Sequence, residues 1–147
     1  KIVETLSRQR HDYANHLQVI KGYLELGLPE RALEYVDAAT RELAEESRLF
    51  KSVPPVLALA LYELQLWTRD RGISLRMGEV GVADAVDLML SVGMTSLRQL
   101  LEKLEVSVGE EEFEVCLDLV EGLDEINIRL RWSDESEQVE REIVLTR

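Results

Sequence analysis

The chain has one cysteine, three prolines, no long apolar run and no excess of positive charge. Each shortage excludes something. With Cys116 alone no internal disulfide can form, and the composition fits a reducing cytoplasm. Charged residues break every apolar stretch well short of the ~20 residues that cross a bilayer. Lys and Arg total 17 against 29 Asp and Glu, for a formal net charge of −12. No basic stripe is left to hold phosphates, so neither nucleic acid nor an anionic membrane surface is an expected partner. The prolines fall at only two places, Pro29 and Pro54-Pro55, where they punctuate the chain. The sequence opens at Lys1 with no methionine and no signal-like segment, and is expected to be a trimmed piece.

At 147 residues, 46% hydrophobic and 31% charged, the chain can bury one substantial core or two small ones. The charge is uneven. Residues 1–31 carry five basic and four acidic side chains, while the other 116 carry 12 basic and 25 acidic. The N-terminal segment is thus the region suited to an acidic or phosphorylated partner.

That segment reads as a helix over about residues 2–26, stopped by Gly27-Leu28-Pro29. Leu6, Tyr13, Leu17, Ile20 and Leu24 recur at helical spacing as one apolar stripe. At about 100° per residue, His11 lies about 180° from Ile20, on the opposite side. Its neighbours there are Ser7, Arg8, Ala14 and Asn15, then Gln18 and Gly22, all polar or small. A histidine so placed is presented to something outside the helix, and Ala14 and Gly22 leave room for a partner's backbone. A mid-helix glycine costs up to about 1 kcal/mol relative to alanine, so Gly22 calls for a packing or docking reason.

A second helix is predicted over about 30–50, with Leu33, Val36, Thr40, Leu43, Ser47 and Phe50 in steps of 3 and 4. The two helices form an antiparallel hairpin whose stripes cannot fully cover each other. Association of two copies into a four-helix bundle would bury them, so a homodimer is expected. Pro54-Pro55 then divides the chain into a hairpin, 1–52, and a second domain, 53–147. In the latter we predict a helix at 56–71, a strand at 73–80, one or two helices over 83–104, and strands at 105–108, 112–119, 126–132 and 140–146. The fold class is α+β, a sheet covered on one side by helices. Met77, Met89, Met94, Trp67, Trp132 and Cys116 read as packing residues, and Glu110-Glu111-Glu112 as a solvated loop.

The run Arg10-His11-Asp12-x-x-Asn15-x-Leu17-Gln18-x-Ile20-x-Gly22-x-Leu24 resembles the phosphoacceptor helix of the sporulation initiation phosphotransferase B family. Citrate- and dicarboxylate-sensing histidine kinases carry a similar helix. Leu26-Gly27 and Glu30-Arg31-Ala32-Leu33-Glu34-Tyr35-Val36 resemble the turn and second helix of that group. The likeness covers about residues 5–50; over 54–147 it is one of element order alone. Kinases of the group continue into an ATP-binding domain with an N-L-x-x-N-A helix, an Asp-x-Gly-x-Gly loop and a glycine-rich lid. Here Gly93-Met94-Thr95-Ser96-Leu97-Arg98-Gln99 lacks the asparagines, and Gly122-Leu123-Asp124 is the nearest approach to the glycine loop. Nothing here should bind ATP. That pattern is similar to the phosphotransferase branch, which resembles kinases in fold with a degenerate ATPase domain.

The resemblance implies a relay of phosphoryl groups between the aspartates of two response regulators through His11. It implies a dimeric hairpin bundle carrying the histidines, with the second domain shaping the docking surface. Neutral imidazole is a good nucleophile near pH 7 and an acyl phosphate an activated donor, so the chemistry stands without the family. The chain needs no cofactor of its own, because the regulator's receiver domain would supply Mg2+ and a lysine. Arg8 shares the face of His11, whereas the family motif points to Arg10; both are candidates for neutralising phosphate charge. Asp12 and Asn15 are candidates for orienting the ring, and Ser7, Ala14, Gln18 and Gly22 for docking. His16 lies at the edge of the apolar stripe and reads as an interface residue. A zinc site is rejected: His11-Asp12-x-x-Asn15 lacks the second imidazole of H-E-x-x-H, and His11 and His16 lie about 140° apart. Two further readings are a degenerate or truncated sensor kinase and a non-catalytic scaffold that binds a regulator.

Overall fold

The computed structural model describes residues 1–104, 113–134 and 136–147. They form two compact units, Lys1–Ser47 and Arg48–Arg147. The first holds α1 (Ile2–Glu25) and most of α2 (Pro29–Ser52). The turn between them follows from Gly27. Its φ of +71° is the left-handed conformation that glycine adopts without a Cβ penalty. Gly27 N–H donates to the Leu24 carbonyl (3.1 Å) and Leu28 N–H to that of Tyr23 (2.8 Å), which satisfies the helix end in a Schellman arrangement. Pro29 then starts α2, where the missing N–H costs nothing.

The expected stripes are present but are turned outward. Leu6, Tyr13, Leu17 and Leu24 are all exposed, Leu17 at 68%, and no residue of α1 is buried. The half-buried row of α1 is instead Asp12, His16, Ile20 and Tyr23, again at steps of 4 and 3. In α2 the covered row is Ala32, Tyr35 and Ala39, one position before the predicted Leu33-Val36-Thr40 stripe, and Leu33 is 62% exposed. Small Ala32 and Ala39 let the helices approach, and Tyr35 fills the space between.

The second unit contains α3 (Pro55–Arg69), β1 (Ile73–Gly81), a helical run, β2 (Phe113–Glu121), β3 (Glu125–Asp134) and β4 (Glu137–Thr146). The helical run joins α4 (Val86–Leu88), a π-helical turn (Met89–Gly93) and α5 (Met94–Glu102). The described strands form one sheet in the order β1-β2-β3-β4, with β1 and β2 parallel and the other pairs antiparallel. A parallel neighbour pair needs a crossover, which the helical run provides. The fold is α+β. The predicted strand at 105–108, the first residue of the one predicted at 112–119, and the loop at Glu110-Glu111-Glu112 lie outside the described residues.

The core lies between helices and sheet. Leu57, Leu61 and Leu64 of α3 meet the inward residues of β2 (Val115, Leu117, Leu119) and β3 (Ile126, Ile128, Leu130), all fully buried. Each such side chain contributes about 1.5–3 kcal/mol relative to exposure. Period two puts the residues between them on the other face, and this corrects the reading of Cys116 as core. It is half-buried beside Glu114 and Asp118, with Arg131 Nη2 3.6 Å from its sulfur.

Asp118 and Glu121 organise that unit's polar groups. Asp118 is 8% exposed; its carboxylate accepts the Glu79 N–H (2.8 Å) and pairs with Arg131 (2.8 Å). The sheet register shifts between Met77 and Val80, and a Cβ at Gly78 would stand 2.1 Å from Asp118 Oδ1. Only glycine fits that bulge. Glu121 accepts the backbone N–H groups of Ala83 (2.7 Å), Asp84 (3.1 Å) and Ala85 (2.8 Å), just ahead of the helical run, and also pairs with Arg147. The Ala83 hydrogen bond, then those of Asp84 and Ala85 and the charge of Arg147, outweigh partial burial and hold its carboxyl below the usual glutamate range.

Candidate functional site

Helical spacing in α1 puts His11 where the sequence placed it. Its side chain is 74% exposed. The Asn15 amide nitrogen, one turn along, lies 3.3 Å from Nδ1, and an Asp12 carboxylate oxygen lies 4.0 Å from the same nitrogen. Both groups address Nδ1. As placed, the Asn15 amide nitrogen donates to Nδ1, so a neutral ring carries its proton on Nε2. The amide turned over presents its oxygen to an Nδ1–H instead and frees the Nε2 lone pair. Asp12, at 34% side-chain exposure, adds a negative charge on the same side.

The surrounding residues divide. Ser7, Ala14 and Gln18 are exposed on the face of His11, and Gly22 is half-buried. A Cβ at Gly22 would meet nothing within 4 Å, so no packing inside this chain requires that glycine. Arg10 is exposed, whereas Arg8 is half-buried and already engaged in an interaction of its own. Lys21 pairs with Glu25 at 3.6 Å further along the helix.

His16 does something the sequence did not reveal. Its Nδ1 is 2.7 Å from the Tyr35 hydroxyl, with ring centroids 5.6 Å apart, and Tyr23 packs against the same tyrosine at 6.4 Å. Tyr35 escaped notice because the apolar stripe of α2 was sought one residue away. The signal was there: a large residue flanked by Ala32 and Ala39 at helical spacing. Among the described residues, no three or more His, Cys, Asp or Glu side chains are grouped to hold a metal, and no helix is long and apolar enough to cross a membrane.

Residues 1–52 match the family described as sensor kinase SpoOB-type, alpha-helical domain. The match falls on the hairpin, the part of the chain whose residues carried that resemblance. Over 118 residues, 80% of this chain, the sequence is 27% identical to sporulation initiation phosphotransferase B of Bacillus subtilis (strain 168). The match spans 62% of that relative's length. No solved structure matches the chain.

Proposed function

We propose that this protein is a histidine phosphotransferase of a phosphorelay, with His11 as the transient acceptor. The observation that carries the reading is an imidazole 74% exposed on α1 with its Nδ1 3.3 Å from the Asn15 amide. The hairpin's match to the SpoOB-type helical domain and the chain's similarity to a sporulation initiation phosphotransferase support it. In the first step Nε2 attacks the phosphorus of an aspartyl phosphate on a receiver domain. The P–N bond forms as the P–O bond breaks, and the aspartate leaves as carboxylate. A second receiver's aspartate reverses the sequence. Such transfer needs in-line positioning and charge neutralisation more than proton transfer. Asn15 and Asp12 orient the ring, and Arg10 supplies positive charge, with Arg8 one turn away. Mg2+ comes with the receiver. Ser7, Ala14, Gln18 and Gly22 form the docking face.

The outward stripes support a homodimer, since a second hairpin would cover Leu6, Leu17 and Leu24, and a single cysteine fits work in the cytoplasm. The test is label transfer from a phosphorylated response regulator to the full chain, with His11→Ala alongside. Acid-labile label on the wild type alone is expected. No label on either, despite binding, would leave a scaffold. The family description also names sensor kinases, which favours as a second reading an acceptor hairpin served by a kinase; ATP binding or autophosphorylation by this chain would select it.

A further inference from the structure

We infer that His16 and Tyr35 are positioning residues for His11, a role that rests on the reading of His11 as acceptor. The turn at Gly27 joins the two helices, and Ala32 and Ala39 let them approach. The leucines of the outer stripes are exposed and α1 has no buried residue, so those leucines do not set the pairing of the helices. The Tyr35 ring is clamped instead by two residues of α1 seven apart. His16 meets it by hydrogen bond at 2.7 Å and by ring contact at 5.6 Å, and Tyr23 packs against it at 6.4 Å. Seven residues bring a helix back to within about 20° of the same face, so His16 and Tyr23 share one line. A slip of one turn, about 5.4 Å, would move both off the ring.

The clamp fixes the rotation of α1 as well as its height. His11 precedes His16 by five residues, about 140° around the helix. Holding His16 inward on Tyr35 turns His11 outward and keeps Asp12, beside it in sequence, on the half-buried side. The bond tolerates either neutral tautomer of His16, because the tyrosine hydroxyl both donates and accepts. It acts as a fixed pin. A polar pair that sets register at some cost in burial is an established use of such groups.

The test uses the full chain with Tyr35→Phe, which keeps the ring and removes the hydroxyl, and His16→Asn, whose amide nitrogen takes the place of Nδ1. Two readouts are taken. One is the rate of label transfer from a receiver domain phosphorylated by acetyl phosphate, measured beside the affinity for that receiver. The other is the distance distribution between spin labels at Lys21 and Asp37 in a Cys116→Ser background. Tyr35→Phe is expected to slow transfer by roughly tenfold or more, with affinity nearly unchanged and the distances broadened. His16→Asn, which keeps a nitrogen within reach of the Tyr35 hydroxyl, is expected to retain both readouts close to wild type. Transfer at the wild-type rate in Tyr35→Phe overturns the role, as does slowed transfer with unaltered distances. A wild type that takes no label strikes the acceptor reading itself and overturns the positioning role with it.

Discussion

Asn15 stands one turn beyond His11, and its amide nitrogen lies 3.3 Å from the ring's Nδ1. The amide holds one nitrogen of the ring that we propose as the acceptor. Replacing Asn15 with alanine frees that ring and leaves His11 in place. We expect the rate of phosphoryl transfer to fall about tenfold while receiver binding is unchanged. Single-turnover transfer at saturating receiver measures the first, and titration calorimetry the second. An equal loss in both would make Asn15 a docking residue instead.

The outward stripes make association testable by one charge. Leu17→Glu puts a carboxylate in the middle of the exposed row of α1. We expect sedimentation equilibrium to show a dimer for the wild type and a monomer for the variant. The helical signal should change little, because the leucine is 68% exposed in its own chain. A wild type that sediments as a monomer at tens of micromolar would sink the four-helix bundle.

Acid stability should report Glu121. Its carboxyl is held low in the folded chain chiefly by the Ala83 N–H. A depressed folded pKa contributes stability that is fully present above the ordinary glutamate value, about 4.3, and is lost as pH falls through the folded value. Glu121→Gln should therefore be less stable than the wild type at neutral pH. The gap should close progressively as pH drops below about 4.3. Denaturant midpoints from neutral to acid pH would show this; a gap that stays constant would mean that the charge contributes nothing.

Gly78 is tested by its smallest substitution. A methyl group there would lie 2.1 Å from Asp118 Oδ1, so either the bulge or the carboxylate with its Glu79 and Arg131 contacts must move. We expect Gly78→Ala to cost about 1–3 kcal/mol, as overpacking commonly does. Thermal unfolding of the full chain provides the measure. Gly22→Ala is the control, since its methyl meets nothing in this chain.

The sequence made the position of His11 legible because it depends only on helical period and the polarity of its neighbours. The element order of the second unit was legible for a similar reason, since Ile126-Asn127-Ile128-Arg129-Leu130 alternates in the way a half-buried strand must. The helix contacts were less so. Hydrophobicity selected Leu33 and Val36 for the inner face of α2, whereas the structure uses Ala32, Tyr35 and Ala39. A stripe meant for another surface looks the same in sequence as one meant for the neighbouring helix. Cys116 was misplaced because its apolar neighbours Val115 and Leu117 lie on the opposite face. The carboxylate caps made by Asp118 and Glu121 join residues nearly forty apart, beyond the reach of any local pattern.

The parallel pairing of β1 with β2 also sets an order of events during synthesis. Glu79 must wait for Asp118, 39 residues later, before the first rung of that polar network can close. The hairpin needs only its own turn and emerges from the ribosome ahead of the second unit, before any described strand of the sheet has been made. Long-range strand pairing is slow, and local helix contacts are fast. The newborn chain therefore displays a finished apolar stripe before its second unit exists. Neighbouring ribosomes on one message hold such stripes close together, so the proposed homodimer would form between sister chains during translation more readily than by encounters after release.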